Sequence, residues 1–266
     1  MNIWGWSDFI ASREYEPLAV MIGVFDGVHR GHQRLMDTVL SKRPDMKAAV
    51  VTFRDNPKKI LHPQTFRGSL FSLDQKIDSF AVAGFDACVL IDFSQNFGTL
   101  SGADFLSMLA DAGVKFVCIG PNFRCGYKMD TNAQALVRVC ERLGMEARIV
   151  EPVMHGGHPV SSSRIRNAIL EGRLVEAAEM LGKPHTVEVE GIVELSGGGV
   201  AFGTKADAIL PPDGWYGIII DPEAGRVSIR ASARVEAGKI FVEGLKNRAA
   251  ERVAIVNVVS QVCKEK

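Results

Sequence analysis

Five short runs of almost unbroken apolar residues, each followed by an amphipathic stretch, constrain the fold of this chain more than any other feature. They cover residues 18–24, 48–53, 87–91, 116–120 and 146–150. Their Val, Ile and Phe content is continuous rather than alternating, the pattern of strands buried on both faces of a parallel sheet. Helical patterns fill the gaps at 31–41, 72–83, 101–112 and 131–143. Ser72 with Gln75, and Ser101 with Asp104, stand at capping-box spacing, while Gly113 and Gly144 sit where helices end. This order predicts an α/β fold, a Rossmann-like doubly wound parallel sheet with ligands at the carboxyl ends of its strands.

Beyond Glu151 the pattern changes. A serine-rich turn precedes two short helical stretches at 164–171 and 174–181. After Gly182-Lys183-Pro184, short β runs follow at 185–195, 199–202, 216–220, 226–232, 239–242 and 253–258. Turn signals separate them: Ser196-Gly197-Gly198, Pro211-Pro212-Asp213-Gly214 and Asp221-Pro222-Glu223. They predict a small antiparallel β-barrel or sandwich, so the expected domains are 1–184 and 185–266.

Composition narrows the partners. The 266 residues include 31 basic and 31 acidic side chains, so no global field draws the chain to nucleic acid or an anionic membrane. No run approaches the ~20 apolar residues that span a bilayer. The first twelve residues lack the basic-then-apolar order of a secretory signal. Cys88, Cys118, Cys125, Cys140 and Cys263 show no metal-ligand spacing and fit a reducing compartment. A soluble, cytoplasmic protein with small-molecule partners is expected, its oligomeric state left open.

The chemistry concentrates in Gly23-Val24-Phe25-Asp26-Gly27-Val28-His29-Arg30-Gly31-His32, which joins the first strand to the first helix. Free N–H groups and the positive end of a helix dipole make such a turn a phosphate site. His29 and His32, three apart, lie on one helical face, and Gly31 between them permits close approach of a phosphate. The plainer alternative is a tight turn with two surface histidines. Three further segments carry candidates: Ser161-Ser162-Ser163-Arg164-Ile165-Arg166, Gly120 through Lys128, and Val51 through Pro57. The serines suit a helix cap or phosphate oxygens, and Arg166 suits a phosphate or a base. The loop after Gly120 mixes an amide, aromatics, cations and glycines, a set able to close over a ring system.

Together these ordered motifs resemble the nucleotidylyltransferase superfamily with its His-x-Gly-His signature. More narrowly, residues 19–184 resemble the FAD synthetase module of bacterial bifunctional riboflavin kinase/FAD synthetases. The resemblance implies adenylyl transfer from ATP to FMN with Mg²⁺, giving FAD and pyrophosphate. It implies catalytic roles for His29, His32 and Arg166, and ATP contacts from Gly23, Phe25, Asp26, Gly27, Gly31, Ser162 and Ser163. It puts Phe53, Asn122, Phe123, Arg124 and Gly126 on the FMN side. No metal ligand is assigned, Asp26 being only the nearest carboxylate in sequence.

The chain departs from the family pattern in three places. Phe53-Arg54-Asp55-Asn56-Pro57 stands where the family has Phe-x-Pro-His-Pro, and a glycine common after the flavin loop is absent from Lys128-Met129-Asp130-Thr131-Asn132. The kinase motif Gly-Phe-Pro-Thr-Ala-Asn is reduced to Ala201-Phe202-Gly203-Thr204-Lys205-Ala206, so the barrel is expected not to phosphorylate riboflavin. Two alternatives stay open: transfer to another phosphorylated acceptor, such as nicotinate mononucleotide or phosphopantetheine, and a regulatory paralogue that binds nucleotide or flavin without turnover.

Overall fold

The predicted alternation of strands and helices forms a six-stranded, all-parallel sheet, described here from a computed structural model. It describes residues 1–12, 16–93, 97–195, 198–205, 207–221, 228–243 and 252–258. The turn residues Ser196, Gly197, Pro222 and Glu223, Ala206, Cys263 and the first residues of the 226–232 run lie outside that set. Two compact units make up the chain: Met1–Phe66 with Leu73–Pro159, and Arg67–Ser72 with Val160–Lys266.

The first unit runs β1 Asn2–Gly5, α1 Trp6–Ser12, β2 Leu18–Ile22, α2 Arg30–Leu40, β3 Lys47–Phe53, α3 Pro57–Leu61, α4 Leu73–Val82 and β4 Ala87–Ile91. It continues with α5 Gly102–Asp111, β5 Val114–Ile119, the two-residue strands β6 Arg124–Cys125 and β7 Thr131–Asn132, α6 Ala133–Arg142 and β8 Glu146–Ile149, and closes with the pair β9 Met154–His155 and β10 His158–Pro159. The strand order in the large sheet is β1-β4-β3-β2-β5-β8. From β2 the chain moves one way to β3 and β4, then crosses back to β5 on the other side. The order therefore reverses between β2 and β5, the position where open α/β sheets bind ligands.

Strand alternation distributes the core. Leu18, Val20, Ile22, Ala49, Val51, Val89, Ile91, Val117 and Ile119 join Phe9 of α1, Leu106 of α5 and Leu136 of α6 in one buried cluster. The intervening residues, including Met21, Val50 and Cys118, are buried too, and the Cys118 thiol approaches the Leu35 carbonyl of α2 at 3.9 Å. Burial on both faces is why these strands read as unbroken apolar runs.

Besides the two-residue strands β6, β7, β9 and β10, three elements of this unit were not expected from the sequence. β1 is a four-residue edge strand whose first two residues are exposed, too short to show a period. α1 follows it at once, and α3 starts on Asn56, whose side chain accepts from Lys58 N–H at 3.1 Å. Expected bounds shift by two residues at three elements: β2 ends at Ile22, not 24, β5 begins at Val114, not 116, and α6 begins at Ala133, not 131, because Asn132 caps it by accepting from Ala135 N–H at 2.9 Å. Thr131 and Asn132 pair instead with Cys125 and Arg124.

In the second unit, α7 Ser162–Leu170 and α8 Leu174–Leu181 precede β11 His185–Glu194, β12 Gly199–Thr204, β13 Gly214–Asp221, β14 Ile229–Glu236, β15 Lys239–Glu243 and β16 Arg252–Val258. The six strands close into an antiparallel barrel ordered β11-β12-β15-β14-β13-β16, which settles the barrel-or-sandwich alternative. Val200, Phe202, Ile218, Val235, Ile240 and Val253 fill it. The segment Arg67–Ser72 is bound here: Ser69 N–H donates to Asp207 O at 2.7 Å, and Ser69 bridges to Ala208. A Cβ on Gly203 would stand 2.8 Å from the Glu190 carbonyl across the β11–β12 register shift. Gly203→Ala is therefore expected to cost about 1–3 kcal/mol of stability, read as a lowered barrel transition in thermal unfolding followed by circular dichroism.

Candidate active site

β2 runs straight into a strained turn. Phe25 and Val28 adopt positive φ, 54° and 40°, on either side of Gly27 at 86°. Such angles are unfavourable for bulky and β-branched residues, and they cluster at functional sites where surrounding contacts over-determine the backbone. Gly23 is needed at the turn's entrance because a Cβ there would meet the Phe25 ring at 3.0 Å. The turn is tied back to the sheet through Val24 O, which accepts from Thr52 Oγ1 at 3.2 Å and Lys76 Nζ at 3.4 Å.

The turn delivers both histidines to the start of α2. His29 is the N-cap, and its Nδ1 accepts the His32 backbone N–H at 3.3 Å. The two rings stack at 3.6 Å between centroids, 17° from parallel, and Phe25 closes the other side of His32 edge-on at 5.1 Å. His29 is buried, and Nδ1 of His32 is buried with no hydrogen-bond partner. The reading of two surface histidines is thereby overturned.

Burial pushes the His29 imidazole down to about 4. His32 is pushed well below its ordinary value by burial first, then by the neighbouring His29 and Lys76. Both rings are neutral near pH 7. Because Nδ1 of His29 accepts, its proton sits on Nε2, leaving that N–H as a donor.

The other expected residues fall as follows. Asp26, Gly27 and Gly31 lie in the turn or first helical turn with the histidines, and Asp26 is buried. Phe53 ends β3, the neighbour of β2, and packs against Phe93 and Phe97 at 5.9 and 6.1 Å. The loop leaving β5, across the switch point from β2, holds Asn122 and Arg124 exposed and Phe123 half-buried against the core. Gly126 has a packing reason to be glycine: at φ 83°, its Cβ would stand against Gly102 N and Asp130 Oδ1. Lys128 and Met129, where the family glycine is missing, both take positive φ of 53° and 59°. Cys125, with its thiol raised to about 12 mainly by burial, is unreactive.

Ser162, Ser163 and Arg166 belong to the second unit. The cap of α7 is Ser161, accepting Arg164 N–H at 3.3 Å, which places Ser162 and Ser163 in the first helical turn. Arg166 donates from Nε to Gly68 O at 3.0 Å and from Nη1 to Ser162 O at 3.4 Å.

Two features escaped the sequence reading. Lys76 of α4 is buried against the turn, and burial lowers its ammonium group to about 8. Its place three after Leu73 and four before Phe80, on the apolar face of α4, was the available signal. A cavity of about 430 Å³ opens at the carboxyl ends of β1 and β4, lined by Trp6, Asp8, Arg54, Asp92, Phe97 and Met108 among others. None of the five residues expected on the FMN side lines it. Among the described residues no group of three His, Cys, Asp or Glu side chains is arranged to hold a metal ion.

The sequence profile of FAD synthetase matches residues 11–164, the stretch that contains the turn and the loops at the sheet's carboxyl edge. The chain belongs to the FAD synthetase family. Curated relatives carry the name bifunctional riboflavin kinase/FMN adenylyltransferase. The one from Buchnera aphidicola (subsp. Schizaphis graminum) is 27% identical over 174 residues, covering 64% of this chain and 56% of the relative. That from Escherichia coli K12 is 26% identical over 176 residues, covering 65% and 56%. The matched region thus spans little more than half the length of these relatives. A solved structure described as a macrolide-efflux protein from Streptococcus pneumoniae superposes with a TM-score of 0.85 at 24% identity. It covers 99% of this chain and 93% of its own, a likeness of fold.

A histidine whose folded pKa is depressed binds its proton more readily in the unfolded chain, so acid favours unfolding. Thermal midpoints are expected to hold near neutrality and to fall as pH drops from about 6.5 towards 4. His29→Asn, which keeps an acceptor at the helix cap, should lessen that fall; an unchanged pH dependence would contradict the assignment. In the loop, Met129→Gly relieves a left-handed non-glycine residue and should be neutral to stabilising by about 1 kcal/mol in urea titrations.

Proposed function

We propose that this chain transfers the adenylyl group of ATP to the phosphate of FMN, forming FAD and releasing pyrophosphate. The observation that carries the reading is the stacked, neutral imidazole pair at the start of α2, beside the sheet's switch point. Family membership supplies the substrate class.

An FMN phosphate oxygen attacks the α-phosphorus in line; the new O–P bond forms as the bond to the β-phosphate oxygen breaks, and pyrophosphate leaves. No covalent intermediate or strong base is needed, so the protein acts by positioning and by stabilising charge. His29 offers its Nε2–H to a phosphate oxygen while its Nδ1 caps the helix. His32, stacked on it, faces the same region, and the N-terminal end of α2 adds its dipole. Burial of His29 limits water at its contact and strengthens it.

Gly23, Phe25, Asp26, Gly27 and Gly31 shape the phosphate turn in this proposal. Ser162, Ser163 and Arg166 are proposed as nucleotide ligands on the family's pattern, and Phe53, Asn122, Phe123, Arg124 and Gly126 as the acceptor side. Mg²⁺ would come with the nucleotide as Mg–ATP and would offset the charge of its phosphates. The catalytic module is proposed to extend to Pro184, with residues 185–266 as an accessory barrel, and the protein to work in the cytoplasm. The barrel is proposed to lack riboflavin kinase activity. Lys205, in the remnant of the kinase motif, supports this: its ammonium group pairs with the buried Glu188 carboxylate at 2.6 Å.

Purified protein given Mg²⁺, ATP and FMN should form FAD and pyrophosphate, resolved by chromatography. His32→Ala should lower kcat/KM by on the order of a hundredfold or more. Binding of both substrates without product would favour the regulatory paralogue, and product only with another phosphorylated acceptor would overturn the flavin assignment. Riboflavin with ATP should yield no FMN; if it does, the reading of the barrel is wrong.

A further inference from the structure

Lys76 has no part in the chemistry just described, yet it is a buried cation placed against the turn that carries both histidines. It sits at 7% exposure on the apolar face of α4, in line with fully buried Phe80. Its Nζ donates to Phe53 O at 2.7 Å, where β3 ends, and to Val24 O at 3.4 Å, one residue past Gly23 in the turn leaving β2. An ammonium group is costly to bury unless its donors are satisfied, so an apolar side chain would be the cheaper occupant if packing were all the site required.

We propose that Lys76 is a positioning residue for the imidazole pair: it joins the carbonyl that ends β3 to the carbonyl that opens the turn, and so holds the turn in the shape that stacks His29 on His32. The turn needs such a clamp, because Phe25 and Val28 at positive φ relax to ordinary angles unless neighbouring contacts fix them. Thr52 Oγ1 donates to the same Val24 carbonyl from β3, a second and uncharged tie. The clamp is also electrostatic. The charged or titratable groups bearing on Lys76 are Asp26 in the turn, Asp55 beyond β3, Cys88 on β4 and His32 on α2. Its positive charge opposes protonation of His32 and keeps that ring a neutral donor–acceptor.

The inference rests on the adenylyl-transfer reading for its kinetic readout and not for its spectroscopic one. Imidazole ¹⁵N spectra of the full chain report tautomer and titration of His29 and His32 directly. The wild type should show His29 as the Nε2–H tautomer and His32 protonating only well below the ordinary imidazole range. In Lys76→Met, the His32 titration should move upward from its wild-type position, calorimetric affinity for Mg–ATP should weaken about tenfold, and kcat/KM for FAD formation should fall ten- to a hundredfold, the scale of a misplacement of about 1 Å. Wild-type kcat/KM should also decline as pH rises through about 8, where the ammonium group loses its proton. Lys76→Arg should restore the imidazole spectrum and move that decline to higher pH.

Unchanged imidazole titration and a kcat/KM within about twofold of wild type in Lys76→Met would overturn the proposal. So would a Lys76→Arg variant that folds with the stack intact but keeps the decline near pH 8. Should Lys76→Met not fold, Lys76→Arg alone decides. A wild type that makes no FAD, with an imidazole titration that shifts in Lys76→Met, would remove the adenylyl-transfer reading and leave Lys76 in its positioning role.

Discussion

The carbonyl of Val24 is the point on which the site depends. It is the first backbone acceptor beyond Gly23, and it receives a hydroxyl from β3 and an ammonium group from α4. Buried backbone acceptors left unsatisfied are expensive, so a chain leaving a sheet into a buried turn must find partners at once. Here the partners come from two different elements, and that fixes the turn's direction relative to β3 as well as to β2. The strained angles at Phe25 and Val28 persist because they are bounded on one side by this anchor and on the other by the first turn of α2.

Anchoring at Val24 is effective because β2 is itself immovable. It lies between β3 and β5, every residue of it is buried, and helices cover both faces of the sheet. Side chains placed at the end of such a strand inherit its precision, as a loop on an edge strand would not. His29 has two nitrogens in different places: Nδ1 caps the helix, and Nε2 keeps its proton, which in the proposed reaction meets a phosphate oxygen. Capping normally falls to Ser, Thr, Asp or Asn. Using histidine there costs little, since the cap needs only an acceptor, and it locks the Nε2–H tautomer on which the proposed phosphate contact depends.

What could be read in the sequence follows from the same physics. β2, β3, β4 and β5 were legible because burial on both faces leaves an apolar run that no loop imitates, whereas β8, an edge strand with Glu146 and Arg148 exposed, was legible from its place after α6 in the alternation. β1 was not, since a four-residue edge strand with half of it exposed carries no period. The His-x-Gly-His turn was legible as chemistry, but the stacking and burial of its rings were not, because they follow from Phe25 folding back over Gly23. Lys76 stayed hidden for a further reason: a lysine in a helix is read as a solvated residue, and only its register with Leu73 and Phe80 says otherwise. Lys128 and Met129 show the converse. A missing glycine was read as a lost feature, yet the backbone keeps left-handed angles there without it.

The barrel answers a different constraint. Glu188 is 8% exposed, and its carboxylate faces Lys205 at 2.6 Å and Arg252 at 3.4 Å. Lys205 stands in the stretch that resembles the kinase motif, and with Arg252 across the β11–β16 pairing it neutralises a carboxylate that would otherwise demand a cation. A barrel selected only to fill space would more simply carry an apolar side chain at position 188. Retaining the acid together with two cations keeps β11, β12 and β16 in register at one point of the barrel wall. The charge that would favour a bound metal is spent inside the fold, and on that ion cluster the proposal of a barrel without riboflavin kinase activity leans.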